Sequence, residues 1–174
     1  MKPRPLRSRR SQQDGPGGPS LEFRPLRFEE IPAVLRLIQR AVEVGCRQAY
    51  DAEQRQAVWT GYMQTMFAES VGPYHGLVAE SDGRVVGVAQ WDVIDERLRA
   101  LFVDADAQQG GVGRALLAEV ERQAHRGGCV RLRGAMSLNA VPFYASRGYR
   151  AYGAPQPLRT AGVAVPIVRM EKLL

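Results

Sequence analysis

Apolar residues recur at helical spacing most clearly in the stretch from Gly111 to Arg126. Residues three or four positions apart share one face of a helix, so this repeat predicts an amphipathic helix with one buried stripe. The stripe consists of Val112, Leu116, Val120 and Ala124. Gly127 and Gly128 follow it, and they favour the end of the helix because glycine adopts the backbone conformation that commonly succeeds a last turn.

Three further segments predict helices. Phe28–Val44 repeats apolar residues at helical spacing. Asp51–Ser70 has Asp51 as a candidate N-cap, and its aromatic and methionine residues are typical of a stripe that faces the core. Asn139–Arg147 predicts a short helix with Asn139 at its N-cap.

Short runs rich in apolar and β-branched residues predict strands. The segment Ser81-Asp82-Gly83 joins two of them and is a hairpin signal. The predicted strands are Leu21–Arg27, His75–Glu80, Arg84–Asp92, Arg97–Val103, Cys129–Ala135, Tyr149–Tyr152 and Val165–Lys172. The order of strands and helices predicts an α/β fold with a mixed sheet and helices on both of its faces.

The first twenty residues differ in composition from the rest of the chain. They are rich in Arg, Pro, Gly, Ser and Gln, and cannot bury enough apolar surface to offset the entropy lost on ordering. We therefore expect a disordered basic tail over residues 1–20 and one folded domain over residues 21–174. The tail carries four of the six net positive charges. This distribution argues against a nucleic-acid-binding fold.

The composition gives little support to metal, disulfide or membrane chemistry. The two cysteines, Cys46 and Cys129, and the two histidines, His75 and His125, have no metal-ligand spacing, so we expect no metal site. Buried reduced thiols are the expectation for the cysteines, although a disulfide between them stays open. No apolar run approaches the roughly 20 residues that cross a membrane, and no apolar segment follows the basic N-terminus as in a secretory signal. We expect a cytoplasmic protein with no membrane partner.

The stretch from Leu101 to Gly113, LFVDADAQQGGVG, is the best candidate for ligand binding. An apolar strand leads into a loop, and the loop leads into a helix whose first turn holds Gly110, Gly111 and Gly113. The start of a helix offers unpaired N–H groups and the positive end of the helix dipole, which together bind phosphate. Glycine lets the anion approach these amides closely. A glycine-rich turn without any ligand is the plainer interpretation of the same pattern.

Two common nucleotide-binding motifs do not fit this stretch. A Walker loop requires Lys and then Ser or Thr after its last glycine, whereas Arg114 and Ala115 follow Gly113. The dinucleotide fingerprint requires a third glycine where Leu116 stands, and an acidic residue about 20 positions further along. A phosphate-binding turn here would be of another kind.

Two motifs of the chain resemble those of the GNAT superfamily of N-acetyltransferases. The segment Gln108–Gly113, QQGGVG, matches the family's Gln/Arg-x-x-Gly-x-Gly/Ala signature and lies between the fourth predicted strand and the long helix. The segment Asn139–Tyr144, NAVPFY, followed by Gly148-Tyr149, is similar to the family's asparagine, tyrosine and Gly-Phe/Tyr ending. The order of elements resembles the family from about residue 21 to residue 174.

The resemblance implies the GNAT fold, with a mixed and mostly antiparallel central sheet, and an enzyme that uses acetyl-CoA as its acyl donor. In the family, the amides matching Gln109–Arg114 hold the coenzyme A pyrophosphate, and the strand end matching Leu101–Val103 hydrogen-bonds the pantetheine. The asparagine matching Asn139 also contacts pantetheine. The coenzyme-binding residues implied in this way are Leu101, Phe102, Val103, Gln108, Gln109, Gly110, Gly111, Val112, Gly113, Arg114 and Asn139.

The resemblance also implies a catalytic residue, because the family tyrosine matching Tyr144 protonates the departing thiolate. A tyrosine that only packs in the core, and an asparagine that only caps a helix, remain the alternatives for Tyr144 and Asn139. The glutamate that some members use as a base falls near Arg97, and a guanidinium does not lose its proton at neutral pH. We assign no general base.

The first two helices and their connection usually line the acceptor site in GNAT proteins. The candidate residues there are Arg47, Tyr50, Asp51, Trp59, Tyr62 and Trp91. We expect a small-molecule or peptide amine as acceptor, direct transfer within a ternary complex, and a homodimer as a compatible assembly. A non-catalytic acyl-CoA-binding sensor on the same fold and a nucleic-acid-binding module led by the basic tail are the alternatives.

Overall fold

The computed structural model describes residues 20–69, 74–108 and 110–174. The predicted tail therefore lies outside the described residues except for Ser20, and so does Gln109. Four α-helices are present in the described part of the chain: α1 (Ile31–Gly45), α2 (Ala52–Glu69), α3 (Val112–Arg126) and α4 (Val141–Ala145). α2, α3 and α4 lie within segments predicted to be helical, and α1 extends one residue, Gly45, beyond its predicted segment Phe28–Val44.

The strands of the described chain form one large sheet and one small hairpin. They are β1 (Leu21–Pro25), β2 (Tyr74–Ser81), β3 (Arg84–Asp92), β4 (Arg97–Val103), β5 (Arg131–Ser137), β6 (Arg150–Ala151), β7 (Leu158–Thr160), β8 (Val163–Val165) and β9 (Ile167–Leu173). The seven-stranded sheet has the order β1-β2-β3-β4-β5-β9-β6. Neighbouring strands of this sheet are antiparallel, except that β4 and β5 are parallel. The predicted mixed, mostly antiparallel sheet is therefore confirmed.

Helices cover both faces of the sheet, as the sequence predicts. On one face, α3 packs its buried stripe against Leu77 and Ala79 of β2 and against neighbouring strands. On the other face, α1 and α2 pack against Val78 of β2 and Val88 of β3. Adjacent residues of a strand point to opposite faces, so the apolar run 77–79 serves both cores at once.

The third part of the fold, the hairpin β7–β8, is absent from the sequence prediction. It packs on α2, where Gly61 lies against the side chain of Thr160 so closely that a Cβ at position 61 would collide with the hydroxyl. Its turn residues Ala161 and Gly162 both have positive φ, 47° and 80°. The hairpin borders the same cavity as β4 and β5.

Two local predictions near the chain's end are wrong in detail. The strand predicted at Tyr149–Tyr152 is reduced to Arg150–Ala151. Asn139 is not the N-cap of α4, because it lies in a 3₁₀ turn before the helix and Ala140 occupies the cap position. The side chain of Asn139 is thereby available for contacts other than capping.

Candidate functional site

The sheet splits between β4 and β5. Among the described residues these parallel strands pair in register only at Arg97 and Arg133. The amide of Arg133 donates to the carbonyl of Glu96 at 2.9 Å, which fixes this end of the strand pair. Beyond it the strands separate, and backbone groups of β4 face an opening instead of a neighbouring strand.

A bulge in β4 lies at the beginning of this opening. Gln90 of β3 pairs with Ala100, whereas the next residue, Trp91, pairs with Leu98, so Arg99 is the extra residue of β4. The carbonyl of Arg99 accepts a hydrogen bond from the hydroxyl of Tyr62 on α2 at 3.0 Å. A bulge bends its strand and increases its twist, which here helps to turn β4 away from β5.

The split contains a cavity of about 370 Å³. Its walls come from the end of α1, from α2, β4 and β5, from α4 and from the hairpin β7–β8. The lining combines residues of the two cores: Tyr50 and Val165 belong to the core beneath α1 and α2, whereas Met136 and Tyr144 belong to the core beneath α3. The cavity therefore connects the two faces of the sheet through the split.

The glycine-rich turn opens α3 as the sequence predicts. Gly111 is the N-cap with φ of 79°, a left-handed conformation that favours glycine. The amide of Ala115 donates to the carbonyl of Gly111, which leaves the preceding amides of the first turn, Val112–Arg114, without partners inside the helix. A Cβ on Gly113 would lie 3.4 Å from the side chain of Val103, so the turn packs closely on the end of β4. These amides and the dipole of a 15-residue helix can bind an anion.

Contacts connect this turn to the cavity. The side-chain amide nitrogen of Gln108, Nε2, donates to the backbone carbonyl of Val103 at 3.4 Å. Both side chains lie close to Gly45 at the end of α1. A Cβ on Gly45 would lie 3.7 Å from Nε2 of Gln108 and 3.9 Å from Nδ2 of Asn139. The Oδ1 atom of Asn139 accepts a hydrogen bond from the thiol of Cys46, a buried residue of the cavity wall, at 3.4 Å. The residues of both sequence motifs thus converge at the end of α1.

Tyr144 projects into the cavity from α4. It is 5% exposed and packs edge-on against the rings of Phe143 and Tyr149. Burial, and secondarily the neighbouring Tyr62 hydroxyl, raise the pKa of Tyr144 well above its usual value. The phenol is therefore protonated throughout the physiological pH range, where its hydroxyl can donate a hydrogen bond.

Tyr50 shapes the cavity and uses its hydroxyl to do so. The hydroxyl donates to the carbonyl of Pro166 at 2.6 Å and accepts from the amide of Leu138 at 3.1 Å. It therefore connects the segment after α1 with the strand connection before β9 and with the turn after β5. Burial raises the pKa of Tyr50, so this hydroxyl stays protonated in its structural role.

The acceptor-site candidates divide into two groups. Tyr50 and Tyr62 line the cavity. The others do not: Asp51 caps α2 by accepting from the amide of Gln54 at 2.8 Å, and Trp91 is buried beneath α3 with its ring stacked on His75. Arg47 is exposed and Trp59 packs in the core beneath α1 and α2.

The structure adds lining residues that sequence reasoning missed. Cys46 follows α1 directly, and its apolar neighbours at helical spacing were a weak signal for burial. Arg159 and Thr160 reach the cavity from the unpredicted hairpin. Burial raises the pKa of the Cys46 thiol, so it is mostly protonated at neutral pH.

The remaining chemical features of the described chain are simple. No group of three or more His, Cys, Asp or Glu side chains in this part of the chain could hold a metal ion. Both cysteines are free and buried. None of the helices in residues 20–69, 74–108 and 110–174 is long and apolar enough to cross a membrane.

A family model for the acetyltransferase (GNAT) domain matches residues 46–174. The match includes the glycine-rich turn, the split of the sheet and α4, and the chain belongs to this family. It is by class an acyltransferase. No curated protein sequence gives a significant match.

Solved structures of acetyltransferases share the fold. A GCN5-related N-acetyltransferase from Rhodopseudomonas palustris is 26% identical, with a TM-score of 0.81 over 91% of this chain and 97% of that one. A ribosomal-protein-alanine N-acetyltransferase from Brucella melitensis is 25% identical, with a TM-score of 0.61 over 87% and 99%. The PaiA N-acetyltransferase from Thermoplasma acidophilum, solved in complex with coenzyme A, is 17% identical, with a TM-score of 0.74 over 89% and 99%.

Proposed function

We propose that this chain transfers the acetyl group of acetyl-CoA directly to a primary amine while both substrates are bound. The observation that carries this proposal is the cavity that crosses the split sheet, with the glycine-rich helix start connected to it through Gln108 and Asn139. Such a passage lets a donor and an acceptor approach from different sides and meet in line, which supplies much of the catalysis when reactants are held in place.

The residues present fit acetyl-CoA. The pyrophosphate would bind the amides of Gly110–Arg114 at the start of α3, where a Cβ on Gly111 or Gly113 would hinder approach or strain the backbone. Gln109 completes this proposed set, although it lies outside the described residues. The pantetheine would extend along the free edge of Leu101–Val103 and past Asn139, whose Oδ1 is already occupied by the Cys46 thiol, leaving its amide N–H groups to donate.

The neutral amine would attack the thioester carbonyl, forming the C–N bond of the amide as the C–S bond breaks. Tyr144 is the proposed proton donor to the departing sulfur, since its hydroxyl stays protonated beside the cavity. Because a thiol, with a pKa near 8.5, is a stronger acid than this phenol, complete proton transfer from Tyr144 to the thiolate is unfavourable. The hydroxyl therefore acts chiefly by donating a hydrogen bond to the sulfur as charge develops there.

The proton lost by the amine has no evident protein base. Among the described lining residues there is no Asp, Glu or His side chain, and Arg97 stands near the position that the family resemblance assigns to a glutamate. We propose that water in the cavity carries this proton away and that the acceptor must enter as the free amine. The rate should then follow the pKa of the acceptor's own amine.

Direct transfer can be tested against a covalent route through Cys46, because this thiol lines the cavity. Initial rates measured while both substrates are varied should give intersecting lines, and Cys46→Ala should keep most of the turnover. Parallel lines, an acetylated protein after incubation with acetyl-CoA alone, and an inactive Cys46→Ala variant would together establish the covalent route instead.

The two alternatives have separate signatures. A non-catalytic sensor would be stabilised by acetyl-CoA but would release no thiol with any amine. A nucleic-acid-binding module would show salt-dependent binding that disappears when residues 1–20 are removed, whereas an acetyltransferase domain should keep its turnover after that deletion.

We also propose a cellular compartment and an assembly for the enzyme. Two buried, free cysteines support a reducing compartment such as the cytoplasm. The strands β1 and β6 are the edges of the large sheet and are compatible with a homodimer built edge to edge.

A further inference from the structure

The charged groups around the cavity are of one sign. Three arginines line it, Arg97 and Arg99 from β4 and Arg159 from β7, and no lining residue in the described chain is a carboxylate or a lysine. The remaining lining side chains are apolar or carry neutral hydroxyl or thiol groups. This cationic lining disfavours a polycationic acceptor, because like charges repel each other. Arg97 and Arg159 are exposed, so solvent and salt moderate this repulsion.

The three arginines are not equivalent. The Arg99 guanidinium lies 3.3 Å from a carboxylate oxygen of Asp92 and 3.4 Å from one of Asp95, so its charge is already offset by protein carboxylates. Arg97 and Arg159 form no ion pair with any carboxylate in the described part of the chain. They lie on different elements, one on the split strand and one on the hairpin, and they border the same cavity.

We infer that the amine acceptor is a small molecule that carries a carboxylate, and that Arg97 and Arg159 bind this group at the cavity. This inference rests on the proposed transfer reaction and adds its substrate class. Guanidinium groups match carboxylates geometrically and form charge-assisted hydrogen bonds with them. The cavity of about 370 Å³ must also hold the reacting end of the acyl donor, so the space left for the acceptor suits a small molecule.

The same arginines would favour the reactive form of the acceptor. A cationic surrounding lowers the pKa of a bound amine, because the protonated ammonium is repelled more than the neutral amine. The acceptor's carboxylate is attracted to the arginines. This attraction offsets the repulsion of the acceptor's ammonium group, so the molecule as a whole still binds. A cavity that lacks a carboxylate base is therefore consistent with an acceptor that brings its own carboxylate.

The test compares amines that differ only in the charge of one group. The pairs are L-phenylalanine and L-phenylalaninamide, L-alanine and L-alaninamide, and γ-aminobutyrate and γ-aminobutyramide. Thiol release from acetyl-CoA gives kcat/KM for each. At least one acid should exceed its amide by about tenfold or more, the loss expected for one charge-assisted hydrogen bond. The α-amino amides contain more free amine at neutral pH, so a preference for those acids cannot come from amine reactivity.

Arginine variants connect this preference to the two side chains. Arg97→Gln and Arg159→Gln should each reduce the ratio of acid to amide by about tenfold, mainly through KM, with coenzyme affinity unchanged. Arg36→Gln removes the same charge from an exposed position of α1 outside the cavity and should leave the ratio intact. Equal or better use of the amides, or an unchanged ratio in both cavity variants, overturns the inference even though transfer itself occurs.

A second readout keeps the inference testable if none of these amines is acetylated. Binding of N-acetyl-L-phenylalanine and of its amide is measured by calorimetry in the presence of coenzyme A. Stronger binding of the acid, lost in Arg159→Gln, supports the carboxylate site while the transfer proposal fails. Equal binding of the two probes, or equal failure of both to bind, refutes the carboxylate site.

Discussion

Arg97 of β4 and Arg133 of β5 face each other as a parallel pair at the point where the two strands begin to separate. The Arg133 guanidinium donates to the carbonyl of Asp95 at 3.0 Å, and its backbone amide donates to the carbonyl of Glu96 at 2.9 Å. The β3–β4 turn thus holds β5 near its start. Arg97, at this last pair of the two strands, lines the cavity.

The glycine-rich turn gives the first prediction. Acetyl-CoA at 100 times its dissociation constant should raise the free energy of unfolding by about 2.7 kcal/mol. Gly111→Ala should lose most of this gain, since the added Cβ and the strained turn at φ of 79° disturb the amides that would bind pyrophosphate. The measurement is the shift in melting temperature with and without acetyl-CoA.

Gly128→Ala is the matched control for this variant. Gly128 also has positive φ, 98°, but it follows the opposite end of α3 and has no neighbouring atom near its would-be Cβ. Both variants should lose about 1–2 kcal/mol of stability from backbone strain. Only Gly111→Ala should lose the response to acetyl-CoA, and a normal response in that variant would remove the turn from the coenzyme site.

Tyr144→Phe tests the proposed proton donor. The variant keeps the ring and its packing, so stability and coenzyme affinity should change little. We expect kcat to fall by up to ~100-fold, the lower end for acid–base catalysis, because a thiolate is a tolerable leaving group and the raised pKa of Tyr144 limits proton transfer. Turnover is measured across pH with a reactive acceptor for which chemistry limits the rate.

Tyr149→Phe is the control for the loss of a buried hydroxyl. The Tyr149 hydroxyl is buried without a hydrogen-bond partner of adequate geometry, and the residue does not line the cavity. Removal of the Tyr149 hydroxyl should leave kcat unchanged. If both tyrosine variants keep full activity, Tyr144 is a packing residue; if Tyr144→Phe weakens coenzyme binding as much as turnover, it acts by positioning.

Asp92 gives a prediction on pH. Burial raises the pKa of this carboxyl, but hydrogen bonds from the amides of Asp95 and Ile94, together with Arg99, outweigh burial and hold the pKa below its usual value. A carboxyl with a lowered folded-state pKa stabilises the fold above its unfolded-state pKa, about 3.9, and loses this contribution as pH falls further. Asp92→Asn should cost about 1 kcal/mol at neutral pH.

The difference between wild type and Asp92→Asn should shrink as the pH is lowered below about 4. Unfolding in urea at a series of pH values measures it. Asp82→Asn, an exposed turn residue with positive φ that asparagine also tolerates, should show little difference at any pH. A cost for Asp92→Asn that is independent of pH would assign the effect to packing instead of charge.

The sequence predicts the parts of the site that depend on local rules. Helical spacing and glycine place the start of α3 at Gly111. The family resemblance adds Tyr144 and Asn139. In the structure, Tyr144 lines the cavity and Asn139 contacts Cys46 in the cavity wall. The family resemblance also implies Tyr50 and Tyr62 as acceptor-site candidates, and both line the cavity.

Other parts depend on contacts that no local pattern encodes. The hairpin β7–β8 has only three residues per strand, and its turn uses Ala161 at positive φ where Asn or Asp would give the usual hairpin signal. Because the sequence does not predict the hairpin, it gives no indication that Arg159 lines the cavity. The bulge at Arg99 is likewise set by pairing with β3 and by Tyr62, not by the residues around it.

The most direct test of the proposed function is a product analysis with acetyl-CoA and the panel of amines used for the acceptor test. Free coenzyme A thiol and acetylated amine are quantified from the same reaction, with either substrate omitted as a control. We predict equal amounts of both products, formed only when acetyl-CoA and an amine are present together. Stabilisation by acetyl-CoA without thiol release for any amine would contradict the account and identify the chain as a non-catalytic acyl-CoA-binding protein.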